Sequence, residues 1–161
     1  MTLVGVATAR DIMNPDVMTV PEDLPLKDLA TFLVENEISG VPVVNDNGEI
    51  SGVVSLRDIA SATAEEGSVR LDRSSSFYLE GWEDQLDPFE AARLRFDEKE
   101  QEVRDVMTPT VFSVQSDTPI SSVARAMVAG RIHRLLVVDG PRLNGIITTL
   151  DILRHLFPLK G

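Results

Sequence analysis

Two short segments of the chain place a hydroxyl and a carboxylate three residues apart. Ser55 and Asp58 form one pair, in the stretch SLRD, and Thr148 and Asp151 form the other, in TTLD. Each pair follows a β-branched stretch and opens a helical pattern, so it stands where a strand should meet a helix N-terminus. There the free N–H groups and the helix dipole favour phosphate, and a carboxylate can accept hydrogen bonds from the two adjacent hydroxyls of a ribose. The same spacing matches a capping box, in which the pair only satisfies N–H groups of the helix. Both interpretations remain open at this point.

The two pairs belong to an internal repeat. DIMNPDVMTVPEDLPL, which starts at Asp11, aligns with DVMTPTVFSVQSDTPI, which starts at Asp105, at an offset of 94 residues. ISGVPVV from Ile38 matches IHRLLVV from Ile132 at the same offset, and GVVSLRDI then matches GIITTLDI at an offset of 93. Self-similarity at a fixed offset indicates two copies of one structural unit.

Each copy predicts the same order of elements: a leading turn, a short strand, a helix, two strands and a final helix. We expect Asp23 and Asp117 to N-cap the first helix of each copy, with Pro25 or Pro119 in its first turn. The two longer strands are predicted over 41–44 and 50–54 in the first copy and over 135–138 and 145–147 in the second. Because about fifty residues bury too little surface alone, the copies should pack sheet to sheet around one core. The predicted fold class is α/β (α+β), with two pseudo-symmetric β-α-β-β-α units.

The domain boundaries follow from the repeat. Residues 6–61 form the first unit, 62–104 an insert and 105–158 the second unit, with 1–61 and 151–161 as the flanking parts of the chain. Within the insert, PFEAARLRFDEKEQEVR has helical character and RSSSFYLEGWEDQL is interpreted as a loop. A segment of this length usually has a function or its own structure. Phe77, Tyr78 and Trp82 either dock on the outside of the module, which we favour, or form a lid or partner-binding arm that reaches a ligand.

Charge and composition limit the classes of function. The net charge of −11 argues against general nucleic-acid binding, which needs a basic face. Residues 1–61 and 62–105 each carry a net charge of −7, whereas 106–161 carry +3, so an anion meets a more favourable surface in the last third. The chain has no cysteine, and neither a signal peptide nor a membrane span is apparent, which favours a cytoplasmic protein with no membrane association.

The ordered set of motifs resembles a known family. DIMNP…MTV with DVMTP…FSV, ISGVPVVND with IHRLLVVD, and GVVSLRDI with GIITTLDI are similar to the motifs of a pair of cystathionine β-synthase (CBS) domains, the tandem arrangement called a Bateman module. The resemblance covers the chain except for the insert and the extreme ends. It is that of a stand-alone CBS-domain protein, without an attached effector domain.

This resemblance implies a fold and a function. Paired CBS units form a cleft, often associate into disc-like homodimers, and bind AMP, ADP, ATP or S-adenosylmethionine as regulatory ligands, for example in energy sensing. Asp58 and Asp151 would hold the ribose hydroxyls, and Ser55 and Thr148 would contact ribose or phosphate. The residues implied to surround the base or to point toward the phosphates are Asp16, Val17, Ile38, Ser39, Pro42, Thr110, Val111, Ile132 and His133.

The two predicted sites differ in charge. The first copy offers Ser39 and a glycine before its strand, whereas the second offers Arg131, Ile132, His133 and Arg134, which resembles the IHR segment of the nucleotide-sensing γ subunit of AMP-activated kinase. Arginine can donate two hydrogen bonds to one phosphate. Alternatively, the arginines solvate a strand edge and His133 packs against the sheet. The second copy has Leu136 where the first has Pro42, which changes the shape of its base pocket. We expect the second site to bind a phosphorylated adenosine ligand more tightly.

Other classes of function find little support in the sequence. No cysteine, lysine-containing phosphate loop or assembled Ser/His/Asp set is apparent, and His133 and His155 are too far apart to bind zinc from one helix. We therefore expect no enzyme activity, no catalytic cofactor and no metal. A ligand-free dimerisation or interaction scaffold remains the alternative, because the capping interpretation explains the same residues. In either case the output would pass to an effector protein that the sequence does not identify.

Overall fold

The computed structural model of the protein describes residues 7–63, 76–79, 101–109 and 111–158. The elements up to the insert are α1 (Ala9–Ile12), β1 (Val20–Pro21), α2 (Leu26–Glu35), β2 (Gly40–Val44), β3 (Ile50–Ser55) and α3 (Leu56–Thr63), and α4 (Ser76–Leu79) lies within the insert. The second copy contains α5 (Val103–Val106), β4 (Ser113–Val114), α6 (Ile120–Gly130), β5 (Arg134–Asp139), β6 (Arg142–Thr148) and α7 (Thr149–Leu156). The predicted order of elements and the α/β class are confirmed in both copies.

The first long helix of each copy begins directly after a proline. Pro25 and Pro119 occupy the N-cap positions, both with ψ of 144° and without a side-chain cap hydrogen bond. The predictions that Asp23 and Asp117 cap these helices and that the two prolines lie in the first turn are therefore wrong. A residue before proline is disfavoured in the helical region, so the chain stays extended up to the proline and the helix starts after it.

Each copy contributes one three-stranded sheet. In the first, β1 pairs parallel to β2 and β2 pairs antiparallel to β3, with Val41 opposite Val54 and Pro42 opposite Val53. The second sheet repeats this with β4, β5 and β6. The register shifts at Val43/Val44 in one sheet and at Val137/Val138 in the other, so even the irregularity is repeated.

The helices cover one face of each sheet. A first core cluster includes Leu26, Leu29, Leu33, Val41, Val43, Val54, Ile59, Val103 and Val106. A second includes Ala9, Val123, Met127, Leu135, Val137, Ile147 and Ile152. Each cluster combines residues from the strands with the apolar stripes of the helices, as the period of the sequence predicts.

The leading segment of each copy, residues 9–14 in the first and 103–108 in the second, pairs with the sheet of the other copy. The chain falls into two compact units, one of residues 18–111 and one of residues 1–17 with 112–161. Asn14 exchanges backbone hydrogen bonds with Ile146 of β6, at 2.9 and 3.0 Å. Thr108 does the same with Val53 of β3, at 2.8 and 2.9 Å. Each leading segment therefore packs beside the sheet of the other copy. The contiguous domains predicted from the repeat, 6–61 and 105–158, do not include this arrangement.

Glycine makes both exchanges sterically possible. A Cβ on Gly52 would lie 2.6 Å from the backbone oxygen of Thr108. A Cβ on Gly145 would lie 2.5 Å from the sulfur of Met13 and 3.0 Å from the backbone oxygen of Asn14. At Gly52 the close approach of a backbone oxygen thus requires a residue without a side chain, whereas at Gly145 the nearest atoms belong to the flexible Met13 side chain.

The insert is only partly described. Helix α4 replaces part of the predicted loop, and Phe77 and Tyr78 are both buried. Of the predicted helical stretch 88–104, residues 88–100 lie outside the described residues, as does Trp82. Within 101–104, only Val103 and Arg104 are helical, at the start of α5. Among the described residues, no helix combines the length and the apolar composition needed to cross a membrane.

A polar network ties α1 to the turn regions of the second sheet. Arg10 donates to the hydroxyl of Ser116 at 3.0 Å, and the Ser116 N–H donates to Asp139 Oδ1, also at 3.0 Å. Asn144 donates to the other oxygen of Asp139. Hydrogen bonds from the Ser116 side chain and backbone, followed by Asn144 and the charge of Arg10, lower the pKa of Asp139 despite partial desolvation.

A methyl group added at Gly52, Gly145 or Gly130 should change the free energy of unfolding by a different amount at each position. Gly52→Ala should destabilise the protein by roughly 1–3 kcal/mol, because a backbone oxygen must move. Gly145→Ala should cost less, because the nearest obstacle is the flexible Met13 side chain. The control is Gly130→Ala at the end of α6, where no atom lies closer than 3.7 Å and the change should be neutral or stabilising. Urea midpoints measure all three, and equal midpoints for Gly52→Ala and Gly130→Ala would contradict the close-approach argument.

The lowered pKa of Asp139 predicts a stability effect on the acid side. Its contribution is fully present above the pKa of an unfolded aspartate and is lost as the pH falls through the lower folded pKa. Asp139→Asn should therefore lower the urea midpoint at pH 7 more than at pH 3. Asp117→Asn, at an exposed position in the same unit, serves as the control and should leave both midpoints near those of the unaltered chain.

Candidate functional site

Both hydroxyl–carboxylate pairs lie where a strand runs directly into a helix. Strand β3 ends at Ser55 and α3 begins at Leu56, while β6 ends at Thr148 and α7 begins at Thr149. Because no loop intervenes, the first N–H groups of each helix stand at the edge of the sheet and need partners from the residues at the junction.

The pairs form capping boxes with nearly identical geometry. Asp151 Oδ2 accepts from the Thr148 N–H at 2.8 Å and from the Thr148 hydroxyl at 3.0 Å, and the Asp151 N–H donates to that hydroxyl oxygen at 3.2 Å. The corresponding distances for Ser55 and Asp58 are 2.8, 3.1 and 3.3 Å. The capping interpretation is therefore confirmed for both pairs.

Capping occupies one oxygen of the Asp151 carboxylate. All of its capping hydrogen bonds go to Oδ2, and Oδ1 faces the exposed guanidinium of Arg154 at 3.8 Å. An exposed ion pair at that distance contributes little and is readily exchanged. The same carboxylate can thus cap α7 with one oxygen and accept a ligand hydroxyl with the other.

A third capping box shows that this geometry alone does not identify a binding site. The Thr8 N–H donates to Asp11 Oδ2 at 2.7 Å, and the Thr8 hydroxyl donates to the same oxygen at 3.2 Å. This pair opens the single-turn helix α1, and the Thr8 hydrogen bonds, chiefly that of its backbone, lower the pKa of Asp11. The surroundings of each pair must therefore distinguish a site from a cap.

The loop before β2 or β5 is held against each helix N-terminus. The Leu56 N–H donates to the carbonyl of Ser39 at 2.9 Å, and the Thr149 N–H donates to that of His133 at 3.0 Å. Across the ladder, Arg134 is the register partner of Thr148. Directly opposite residues on neighbouring strands have Cβ atoms roughly 5 Å apart, so a guanidinium stem stands beside the second pair.

The first site carries different side chains at the equivalent positions. Gly40 is the register partner of Ser55, so no side chain stands across the ladder from that pair, and the base nearest in sequence is the half-buried Arg57. The turns before the two loops both use the left-handed region, at Glu37 with φ of 55° and at Arg131 with φ of 52°. The same backbone thus presents an acid in the first copy and a base in the second, which makes the second site the more favourable one for an anion.

The two sites also differ in exposure. Ser55 and Asp58 are 0% and 1% exposed, and Ser39 is buried as well. In the second copy, the Asp151 side chain is 20% exposed, Thr148 is half-buried and His133 is exposed. The second pair can be reached from solvent, whereas the first cannot.

The remaining predicted residues divide between the compact units. Ile38 and Ile132 pack partly against the first and second core clusters, and Pro42 is buried in β2. Asp16 and Val17 belong to the same unit as Thr148 and Asp151, and Val111 to the same unit as Ser55 and Asp58. The residues after each leading proline thus belong to the compact unit that holds the hydroxyl–carboxylate pair of the other copy. Thr110 lies outside the described residues.

Sequence reasoning expected Phe77 and Tyr78 to dock on the outside of the module but did not predict which strand their helix contacts. Helix α4 contacts β3, the strand that ends at Ser55, and its Phe77 and Tyr78 are 2% and 1% exposed. Two adjacent aromatics within a polar stretch were the only signal. In the part of the chain that is described, no group of His, Asp or Glu side chains could hold a metal ion.

Comparison with known proteins places the chain in context. The family model of the CBS domain matches residues 9–65 and 103–158. An uncharacterised protein of Methanocaldococcus jannaschii is 32% identical over 157 residues, which cover 91% of this chain and 89% of that protein. Hypoxic response protein 1 of Mycobacterium tuberculosis is 27% identical over 149 residues, covering 92% and 85% of the two chains.

A solved structure agrees in fold over almost the whole length. The crystal structure of CBSX2 in complex with AMP has a TM-score of 0.67 and 26% identity, and the match covers 96% of this chain and 98% of that chain. CBSX2 is a chloroplastic CBS domain-containing protein of Arabidopsis thaliana. With two matched segments that agree with the internal repeat, this chain belongs to the CBS domain family and carries the domain twice.

Proposed function

We propose that this chain is a non-catalytic regulatory module that binds an adenosine-containing ligand at the site around Thr148 and Asp151. The observation that carries the proposal is the accessible carboxylate at the start of α7, whose Oδ1 is not used for capping, with Arg134 directly across the ladder. The AMP complex of CBSX2 supports an adenosine ligand for this fold.

The proposed roles follow from the chemistry of each group. Asp151 Oδ1 accepts hydrogen bonds from the ribose hydroxyls while Oδ2 continues to cap the helix. Arg134 and His133, with Arg131 on the preceding turn, attract the phosphate toward the positive end of α7. Ile132 and Val17 offer half-buried apolar surface to the base. AMP, ADP, ATP and S-adenosylmethionine all present the same adenosine to such a site.

A second copy of the chain is the proposed partner of α7. Leu150, Leu153 and Phe157 recur at helical spacing and are 44%, 51% and 67% exposed, and Val128 on the neighbouring α6 is 77% exposed. Large apolar side chains exposed at helical spacing along one helix are typical of an interaction site. We propose that it forms a homodimer, and that ligand binding at the N-terminus of the same helix changes the assembly or the surface offered to a cytoplasmic effector protein.

The alternative is a scaffold whose sites stay empty. The third capping box, at Thr8 and Asp11, supports it, because the same geometry there serves a helix end alone. Thermal shift with AMP, ADP, ATP and S-adenosylmethionine separates the two functions. A ligand at one hundred times its dissociation constant stabilises the folded state by about 2.7 kcal/mol, whereas a scaffold shows no shift with any of the four.

Replacing Asp151 should separate binding from capping. Asp151→Ala should weaken AMP binding by roughly 10- to 100-fold, since a hydrogen bond to a charged group contributes about 1.5–3 kcal/mol. Asp11→Ala removes the acid of the equivalent capping box on α1 and should lower the stability of the fold without affecting AMP binding. Isothermal titration calorimetry measures the affinities. Equal affinities of both variants, or loss of binding only in Asp58→Ala, would refute the assignment of the site.

The apolar face of α7 predicts the assembly state. Leu153→Glu places a charge at the centre of that face and should convert a homodimer into monomers in analytical ultracentrifugation, because burying an unpaired carboxylate is unfavourable. Ser122→Glu, at an exposed position on α6 about 120° around the helix from Val128, adds the same charge away from the face and should leave the dimer intact. A monomeric unaltered chain would exclude this homodimer.

A further inference from the structure

The first site contains the recognition pair, yet the pair is inaccessible. Asp58 and Ser55 are almost completely buried, although both keep the capping geometry of the second site. A ribose could not reach the Asp58 carboxylate in this state. The question is which part of the chain covers it.

The internal symmetry identifies the covering element. The two copies share their strands, their long helices and the exchange of leading segments, so any effect of these common features applies equally to both sites. Helix α4 has no counterpart among the described elements of the second copy. It contacts β3, whose last residue is Ser55. The asymmetry in exposure therefore coincides with the one described helix that is present in a single copy.

The position of the two aromatics supports this assignment. The helix side of the first sheet is filled by the first core cluster, and among the described members of that cluster neither Phe77 nor Tyr78 occurs. Both are nevertheless buried, and their rings pack edge to face with centroids 5.1 Å apart at 86°. Such a pair contributes packing beyond its buried area, so α4 is held in place by more than a surface contact.

We propose that α4 closes the first site from within the chain, with Phe77 and Tyr78 in the space that an adenine base would take. This inference rests on the proposed function. The chain then binds one adenosine ligand, at the second site, and holds a second, latent site that opens when α4 is displaced. A partner that binds the insert would expose it.

Removal of the aromatic pair should open the latent site. The unaltered chain should bind AMP with a stoichiometry of one, and Asp151→Ala should weaken that event by roughly 10- to 100-fold. Phe77→Ala/Tyr78→Ala should raise the stoichiometry to two in calorimetry, and adding Asp58→Ala should return it to one. A folded double variant that still binds one AMP overturns the inference, as does an Asp58-dependent event in the unaltered chain.

Two further measurements keep the test decisive if the double variant unfolds. Phe77→Leu and Tyr78→Leu retain apolar volume but remove one ring each, and at least one of them should show a weak second event that depends on Asp58. In the unaltered chain, hydrogen exchange of 56–63 should be slow and unchanged by AMP, whereas 149–156 should become slower. Protection of 56–63 by AMP overturns the closure.

The outcomes also distinguish this inference from the proposed function. If the unaltered chain binds no AMP and the variant without the aromatics binds one in an Asp58-dependent manner, the closure stands and the assignment to the second site fails. If neither protein binds AMP, both fail. If the unaltered chain binds two, the proposed function stands and the closure fails.

Discussion

The direct transition from strand to helix is the constraint on which the rest of the structure depends. With no loop at the junction, the first N–H groups of α3 and α7 would be left without partners at a partly buried position, so a hydroxyl and a carboxylate must satisfy them. That requirement fixes the rotamers of Asp58 and Asp151 before any ligand is present. It also sets the orientation of the carboxylate, with one oxygen toward the backbone. A ligand at the proposed site around Asp151 would therefore meet a carboxylate that is already positioned, which would reduce the cost of ordering on binding.

The exchange of leading segments gives this local arrangement a wider consequence. Backbone hydrogen bonds from Asn14 to β6 and from Thr108 to β3 bring residues of each copy beside the sheet of the other. The surroundings of a site are therefore built from both halves of the sequence. Neither copy could form these backbone hydrogen bonds if it folded alone, which is a physical reason for the domain to occur as a pair.

The sequence predicted what depends on local pattern and failed where long-range packing decides. The repeat offset, the strands and the capping boxes at Ser55 and Thr148 follow from periodicity and residue type. The N-caps at Asp23 and Asp117 were wrong because the backbone restriction imposed by the following proline outweighs the preference of aspartate for caps. The pairing of each leading segment with the sheet of the other copy had only one signal in the sequence, the glycines at positions 52 and 145. No hydrophobic periodicity in the sequence predicted the burial of Phe77 and Tyr78, because their helix is placed by a contact with β3, which is distant along the chain.

The contrast between the copies follows from how a duplicated site can diverge. Capping contributes to stability wherever it occurs, so Ser55 and Asp58 remain useful to the fold even when no ligand can reach them. The positions around them are under no such requirement, and they differ: Gly40 and Glu37 in the first copy stand where Arg134 and Arg131 stand in the second. A motif that serves both the helix and a ligand can thus keep the first role and lose the second. The retained hydroxyl–acid pair is therefore weak evidence for binding, and the charge and accessibility of its neighbours are the stronger evidence.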